Sequence, residues 1–343
     1  MVLVTGATGF VGEHVVSQLL SRNKEVRALY RNPSKIGCQG ILTEAQIEAV
    51  HWLQADVTDY FAMEDAMRGI DKVYHCAAFI SYDPRQRDLM FKTNINGTAN
   101  VVNAALHQGV KRLLHVSSIA ALGRAAEPHL LIDENASWKG DKAQSNYAIS
   151  KFRSENEVWR GMEEGLEVAV VCPSVILGPG QVASGSNQLF RKIYQGMRFY
   201  SPGATGFVDV RDVARALCIL DELNIVGKRY VLNAHNVSYQ QLFEQMASAL
   251  QVKAPSILPP RWMAEVGWRV NKIMAILKGK MPFITRETVR SAYSQKSFGG
   301  NKILEKVSAF QYTPLKDTMA DGASFTVDHL KSNFPDRKIQ PAK

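Results

Sequence analysis

Tyr147 and Lys151 stand four positions apart in Tyr147-Ala148-Ile149-Ser150-Lys151, a spacing that places a phenol and an ammonium on one helix face. A phenol with an ordinary pKa near 10 is a poor proton donor and acceptor at neutral pH. A fixed cation beside it favours the phenolate and turns the pair into usable acid–base machinery. Ser118 lies 29 residues earlier, directly after Leu113–Ser117, a run with the composition of a strand. A hydroxyl there sits at the carboxyl edge of a sheet, where open α/β sheets take their ligands. Each feature has a plainer explanation: a serine can cap a turn, and Y-x-x-x-K arises by chance in many helices.

A second constellation lies at the start. Gly6, Gly9 and Gly12 in Thr5-Gly6-Ala7-Thr8-Gly9-Phe10-Val11-Gly12 follow a G-x-x-G-x-x-G variant of the dinucleotide motif. They serve a tight turn, a close backbone approach to a pyrophosphate and close helix–strand packing. The helix N-terminus then offers free N–H groups to phosphates, so Gly6, Thr8, Gly9, Phe10, Val11 and Gly12 are expected to bind the cofactor. The next strand's end selects the dinucleotide. Arg31 stands 19 positions after Gly12, with Arg27 and Lys35 nearby and no Asp or Glu between Val26 and Lys35. A guanidinium suits a 2′-phosphate, so NADP(H) is favoured over NAD(H), with Arg31 and Lys35 as its ligands. Asp56-Val57 is expected at the adenine.

These residues need elements to hold them. Met1–Val4, Glu25–Tyr30, Val50–Gln54, Lys72–Ala77, Leu113–Ser117 and Val168–Cys172 read as strands. Between them Val11–Leu20, Ala62–Arg68, Ile95–His107 and Ser145–Glu163 read as helical. The alternation predicts βαβ units and an α/β fold: a doubly wound, Rossmann-type parallel sheet. After Pro173 the pattern loosens, and Val208–Leu220 reads as a strand end and helix returning to the first lobe. The expected division is residues 1–174 with about 206–232 as the nucleotide-binding domain, and about 175–205 with 233–343 as a smaller, mostly helical substrate lobe.

Composition narrows the classes. At 46% hydrophobic and 21% charged, the 343-residue chain is neither a disordered tail nor a disulfide-dense mini-domain. Cys38, Cys76, Cys172 and Cys218 form no C-x-x-C pair, and the histidines form no H-x-x-x-H, so no metal is expected. The net charge of +9 is scattered without a basic block, so no nucleic-acid partner is expected. No apolar stretch reaches the roughly 20 residues of a membrane span, and no signal-peptide pattern opens the chain; a cytoplasmic location is expected.

Taken together, the chain resembles an extended short-chain dehydrogenase/reductase over nearly its full length. The resemblance is carried by Thr5–Gly12, Asp56, Ala77-Ala78, Asn94-Ile95-Asn96-Gly97-Thr98, Ser117-Ser118 with Gly123, Tyr147 with Lys151, Pro173, Gly178-Pro179-Gly180 and Val208–Ala214. It implies Tyr147 as acid–base group, Lys151 as its tuner and ribose ligand, Ser118 as the hydroxyl that polarises a carbonyl, and Asn94 as the family's helix asparagine. Ala77, Ala78, Pro173 and Val175 join the cofactor contacts on the same ground. Spacing to Gly123 selects Ser118 over Ser117. A homodimer formed through the helices holding Asn96–Leu106 and Tyr147–Glu163 is implied as well.

Within that family, dehydratases carry Asp-Glu after the catalytic hydroxyl, where this chain has Ile119-Ala120. Sugar-nucleotide epimerases carry an Arg and an Asn where it has Cys172 and Val175. The surrounding residues look like the dihydroflavonol reductase, hydroxysteroid dehydrogenase and aldehyde/ketone reductase branch, although Cys172 replaces the Arg or Asn common there too. The expectation is an NADPH-dependent reductase of a ketone or aldehyde on a small apolar or aromatic molecule, with the carbonyl or alcohol as its partner. The alternative is an NAD-dependent sugar-nucleotide epimerase or 3β-hydroxysteroid dehydrogenase. Arg261–Lys280 combines apolar residues at helical spacing with basic ones; a lid over the substrate site is expected there rather than a membrane contact. Asp209 and Arg211-Asp212 are expected to fasten the returning helix. Phe79, Tyr82, Phe190, Tyr200 and Trp262 are not assigned to a pocket, since isolated aromatics are more often core.

Overall fold

The computed structural model describes residues 1–123, 131–140, 144–277 and 286–333. Its strands are β1 (Val2–Thr5), β2 (Val26–Tyr30), β3 (His51–Gln54), β4 (Lys72–His75), β5 (Arg112–Val116), β6 (Glu167–Pro173), β7 (Val175–Leu177), β8 (Ala204–Asp209), β9 (Lys228–Leu232) and β10 (His235–Ser238). Seven of them form one parallel sheet in the order β3-β2-β1-β4-β5-β6-β9, the doubly wound arrangement expected from the alternating pattern. Strands β1 and β5 are buried at every position, as central parallel strands with both faces covered must be. Register aligns their ends: Thr5 faces His75 across β1 and β4, and Val116 faces Val171 across β5 and β6.

The helices are α1 (Phe10–Leu20), α2 (Glu44–Glu48), α3 (Tyr60–Ala66), α4 (Arg87–Phe91), α5 (Gly97–His107), α6 (Asn146–Glu163), α7 (Gln188–Tyr194), α8 (Val210–Glu222), α9 (Tyr239–Leu250), α10 (Arg261–Leu277), α11 (Arg286–Ala292), α12 (Lys302–Lys306) and α13 (Leu315–Asn333). Helices α1 and α8 cover one face of the sheet through Val15, Val16, Leu19, Val213, Leu217 and Leu220. Helices α3, α5 and α6 cover the other through Met63, Ala66, Val101, Val102, Ala105 and Val158. Burying these side chains is the main favourable term holding the two layers to the sheet. The helix expected at Ile95–His107 starts earlier: α4 runs into a π turn, Lys92–Asn96, and then into α5.

A second sheet, β10-β8-β7, and helices α7, α9 and α13 enclose a separate core around Phe190, Phe207, Leu242, Met246 and Met319. Phe190 is therefore core. Asp209 and Asp212 fasten α8 as expected, and they also anchor α13 and the residues that lead into it. Asp209 accepts from the Arg211 N–H (2.8 Å) and from the Thr318 hydroxyl (2.8 Å), while Asp212 accepts from the Thr313 N–H (2.8 Å). Helix α10 departs from the lid expectation. Trp262, Val266 and Val270 are 68, 51 and 53% exposed, so this stripe faces solvent, while Ala264, Trp268 and Asn271 on the opposite side are half-buried. Residues 278–280 of that expected segment lie outside the described residues. No helix among the described residues is long and apolar enough to cross a membrane.

Candidate functional site

The glycine loop joins β1 to α1 with the close approaches its sequence demands. Gly6 adopts φ +66°, and a Cβ there would lie 2.6 Å from the Ala77 nitrogen; a Cβ on Gly12 would lie 2.1 Å from the Gly6 oxygen. Side chains are thus excluded where loop, helix and the chain after β4 meet. Helix α1 has Gly9 as its N-cap and no side-chain cap, which leaves first-turn N–H groups facing the loop's open side. That fits a bound pyrophosphate. Two neighbours brace the loop: Phe10 packs on Gly180, and the Gln39 amide donates to the Thr8 oxygen (3.2 Å). The His14 ring reaches the Pro179 oxygen (3.1 Å), so the Gly178-Pro179-Gly180 turn lies against α1.

At the ends of β2 and β3, Arg31 and Asp56 form an exposed ion pair with N···O at 3.7 Å. Burial pushes the Asp56 carboxyl up, but hydrogen bonds from the Thr58 N–H and hydroxyl and the charge of Arg31 outweigh it and hold the carboxyl low. Lys35 is exposed on the short 3-10 turn Pro33–Lys35 just beyond. Arg27 is elsewhere: it donates to the carbonyl oxygens of Ala66 (2.8 Å) and Arg68 (2.9 Å), capping the end of α3. Val57 is buried beneath Gly97 of α5. Ala77 is half-buried with its N–H on the Thr5 hydroxyl (3.3 Å), and Ala78 is exposed. Pro173 ends β6 and half-buried Val175 begins β7.

Ser145 caps α6 by accepting from the Ala148 N–H (3.1 Å), and the helix then presents Tyr147 and Lys151 one turn apart. The Ser118 side chain lies against the Tyr147 phenol. Ser118 also accepts from the Ala120 N–H (3.1 Å), so the turn-cap function and the contact with the phenol coexist. Ser117 points the other way and donates to Glu155 (2.5 Å). Burial pushes the Tyr147 phenol well above its usual range, Tyr82 adds to this, and the Ser118 contact opposes it. The tuning expected of Lys151 is absent from that balance. Its ammonium donates instead to the Val116 oxygen (2.9 Å), and burial lowers its pKa to about 8 against the raising effects of Glu155, Cys172 and Cys76. At neutral pH the site therefore holds a protonated phenol beside a buried cation.

Asn94 sits in the π turn, a feature often found at functional sites. Its amide nitrogen donates to the Phe79 oxygen (2.9 Å) and the Ser150 hydroxyl (3.0 Å), and its amide oxygen accepts from the Phe79 N–H (2.7 Å). Asn94 thus clamps the chain after β4 to α6 and has no amide hydrogen left for a substrate. Next to that clamp, the Tyr82 ring meets Tyr147 edge-on at 6.2 Å. Beneath the site, His75 bridges the Thr5 (2.7 Å) and Thr98 (2.9 Å) hydroxyls, and burial lowers its pKa to about 3. Glu155 is the group sequence reasoning missed. Its signal was present, four positions after Lys151 on the same helix face. No cluster of His, Cys, Asp and Glu that could hold a metal occurs among the described residues.

Residues 2–232 match the model of the NAD dependent epimerase/dehydratase family. A chain provisionally named dihydroflavonol 4-reductase in Synechocystis sp. is 26% identical over 333 residues, covering 95% of this chain and 94% of that one. Cinnamoyl-CoA reductase 1 of Oryza sativa is 33% identical over 241 residues, covering 67 and 70%. Among solved structures, that of gox2253 superposes with a TM-score of 0.79 at 28% identity, over 96% of this chain and 98% of that one.

Proposed function

The chain belongs to the NAD dependent epimerase/dehydratase family, and we propose that it is an NADPH-dependent reductase of a ketone or aldehyde on a small apolar or aromatic molecule. The contact between the Tyr147 and Ser118 side chains, with Lys151 one turn along α6, carries this reading. When bound, the cofactor supplies the hydride. Gly6, Thr8, Gly9, Phe10, Val11 and Gly12 would hold its pyrophosphate, with Arg31 and Lys35 at the 2′-phosphate and Asp56 and Val57 at the adenine end. Ala77, Ala78, Pro173 and Val175 would line its path across the strand ends.

The Ser118 hydroxyl donates to the substrate oxygen and polarises the carbonyl. Tyr147, protonated because burial holds its proton, delivers that proton to the oxygen as the alkoxide forms. Lys151, whose ammonium is held on the Val116 oxygen, would serve as the ligand of the cofactor's ribose, and solvent returns the proton to Tyr147. Asn94 keeps the wall carrying Phe79 and Tyr82 in place. Cys172 is buried with its sulfur 3.7 Å from Glu155 and offers nothing to a nucleotide diphosphate, which argues against the epimerase alternative. A homodimer through α5 and α6 and a cytoplasmic location belong to the same proposal; sedimentation equilibrium tests the first.

Fluorescence titration with NADPH and NADH, followed by a screen of carbonyl compounds for loss of NADPH absorbance, tests the function. Tighter binding of NADPH and turnover of an apolar carbonyl are expected. Preference for NADH, or turnover of sugar nucleotides alone, would refute it.

A further inference from the structure

Two side chains of α6 grip the two residues that precede Ser118. Lys151 Nζ donates to the Val116 oxygen (2.9 Å), and one turn later Glu155 Oε2 accepts from the Ser117 hydroxyl (2.5 Å). Glu155 has only 3% of its side chain exposed, and a carboxylate that deep needs partners. It has several: its other oxygen accepts from Trp159 Nε1 (3.1 Å) and from Arg229 (3.4 Å). Arg229, on β9, also donates to the main-chain oxygens of Glu134 (2.6 Å) and Ala136 (3.0 Å). The Glu134 carboxylate in turn accepts from the Val231 N–H (2.8 Å). A pair of buried Glu155 and half-buried Arg229 therefore connects the strand end under Ser118, the helix bearing Tyr147 and Lys151, and the segment 134–136.

The charges around Lys151 make this pair informative. The groups acting on its ammonium are Glu155 from α6, Cys172 from β6 and Cys76 after β4, and the ammonium in turn acts on His75 and His115 of β4 and β5. Burial lowers both histidines far enough to be neutral at pH 7 and raises both thiols, which leaves Glu155 as the anion facing the ammonium. We propose that Glu155 and Arg229 are the positioning pair of the site: Glu155 keeps the Lys151 ammonium charged inside the protein and fixes the strand end that presents Ser118, while Arg229 ties this support to segment 134–136. The proposal rests on the reading of Tyr147 and Lys151 as an acid–base pair.

The test is the pH dependence of kcat/KM in the full-length protein and in Glu155→Gln. Activity that needs the ammonium falls as pH rises through its pKa of about 8. Without the facing carboxylate the charged form is less favoured, so in Glu155→Gln this alkaline limb moves to lower pH, by about one unit. A uniform loss of activity with the limb unmoved is what a purely structural role gives, and it overturns the charge-holding half. Ser117→Ala removes only the hydroxyl contact and covers the case in which Glu155→Gln does not fold. A roughly tenfold fall in kcat with the limb unmoved is expected, since about one misplaced ångström near the chemistry costs that much or more; full kcat overturns the strand-fixing half. NADPH affinity over the same pH range, read by fluorescence, separates the two readings. If no carbonyl is reduced yet Glu155→Gln shifts that affinity profile, the reductase reading fails and the positioning pair stands. An unshifted profile overturns the pair.

Discussion

Replacing Tyr147 by Phe removes one oxygen and leaves the ring. The edge-on contact with Tyr82 at 6.2 Å and the position on α6 persist, while the proton and the hydroxyl's contact with Ser118 are lost. The effect on folding is small. Even a full net hydrogen bond contributes only about 0.5–1.5 kcal/mol, Ser118 keeps the Ala120 N–H, and Tm is expected to move by no more than a few degrees. The effect on rate is large, because a positioned general acid contributes roughly 10²- to 10⁴-fold. At about 1.36 kcal/mol per tenfold, that is about 2.7–5.4 kcal/mol of transition-state stabilisation. NADPH affinity is expected to stay within about threefold, since uniform binding is untouched. The assay is steady-state NADPH oxidation against the best carbonyl found in a screen, with cofactor titration alongside. Because the phenol is raised, it stays protonated through neutral pH, so the wild-type profile is expected to lose activity only on the alkaline side, where Lys151 discharges near pH 8. A Tyr147→Phe enzyme with kcat within tenfold of wild type would remove Tyr147 as the proton donor, whatever the family resemblance implies.

Other perturbations reach the rest of the site. In Gly12→Ala the new methyl would lie 2.1 Å from the Gly6 oxygen, backbone that cannot swing aside. Overpacking of this kind costs about 1–3 kcal/mol, so both a lower Tm and weaker NADPH binding are expected by thermal melt and titration; no change in either would refute the close-approach argument. Arg31→Asp is expected to weaken NADPH binding by tenfold or more and to narrow the gap to NADH, because charge-assisted hydrogen bonds to the 2′-phosphate are lost. An unchanged NADPH/NADH ratio would dismiss Arg31 as the selector. Asn94→Ala leaves the Phe79 N–H and oxygen without their partner, at a cost of about 1–3 kcal/mol in urea unfolding. Wild-type stability in that variant would count against the clamp.

What was legible in the sequence was local. Gly6 and Gly12 make the tight turn and close approach expected of them because that backbone requirement is met within a single turn, and α6 and β5 fall within a residue of their expected bounds for the same reason. The second sheet was not legible. Strand β8 pairs Phe207 with Val175 on one side and His235 on the other, and such distant partners leave no spacing signal. Arg27 and Arg31 looked alike in sequence, four residues apart on one strand and its exit. Only the sheet's direction shows that Arg27 caps α3 at one edge while Arg31 meets Asp56 at the other. Asn94 was expected at the chemistry and instead holds the main chain of Phe79, a partner 15 residues away that only the fold brings near. Glu155 had a readable spacing from Lys151, but the reason for it, Arg229, lies 74 residues further on.

Ser117 and Ser118 show how the fold separates support from chemistry. Successive residues of extended chain point to opposite faces, and Ser118 is extended, with φ −163° and ψ 152°. If Ser117 reaches back into the protein towards Glu155, Ser118 must face outward towards Tyr147, and both contacts are present. The choice between two adjacent serines thus follows from a buried carboxylate that claims one of them. A one-residue slip of β5 would turn each serine to the other face and could place Ser117 where Ser118 stands beside the phenol. The Lys151 contact with the Val116 oxygen opposes that slip, so the buried cation of the site also holds the register that selects the serine.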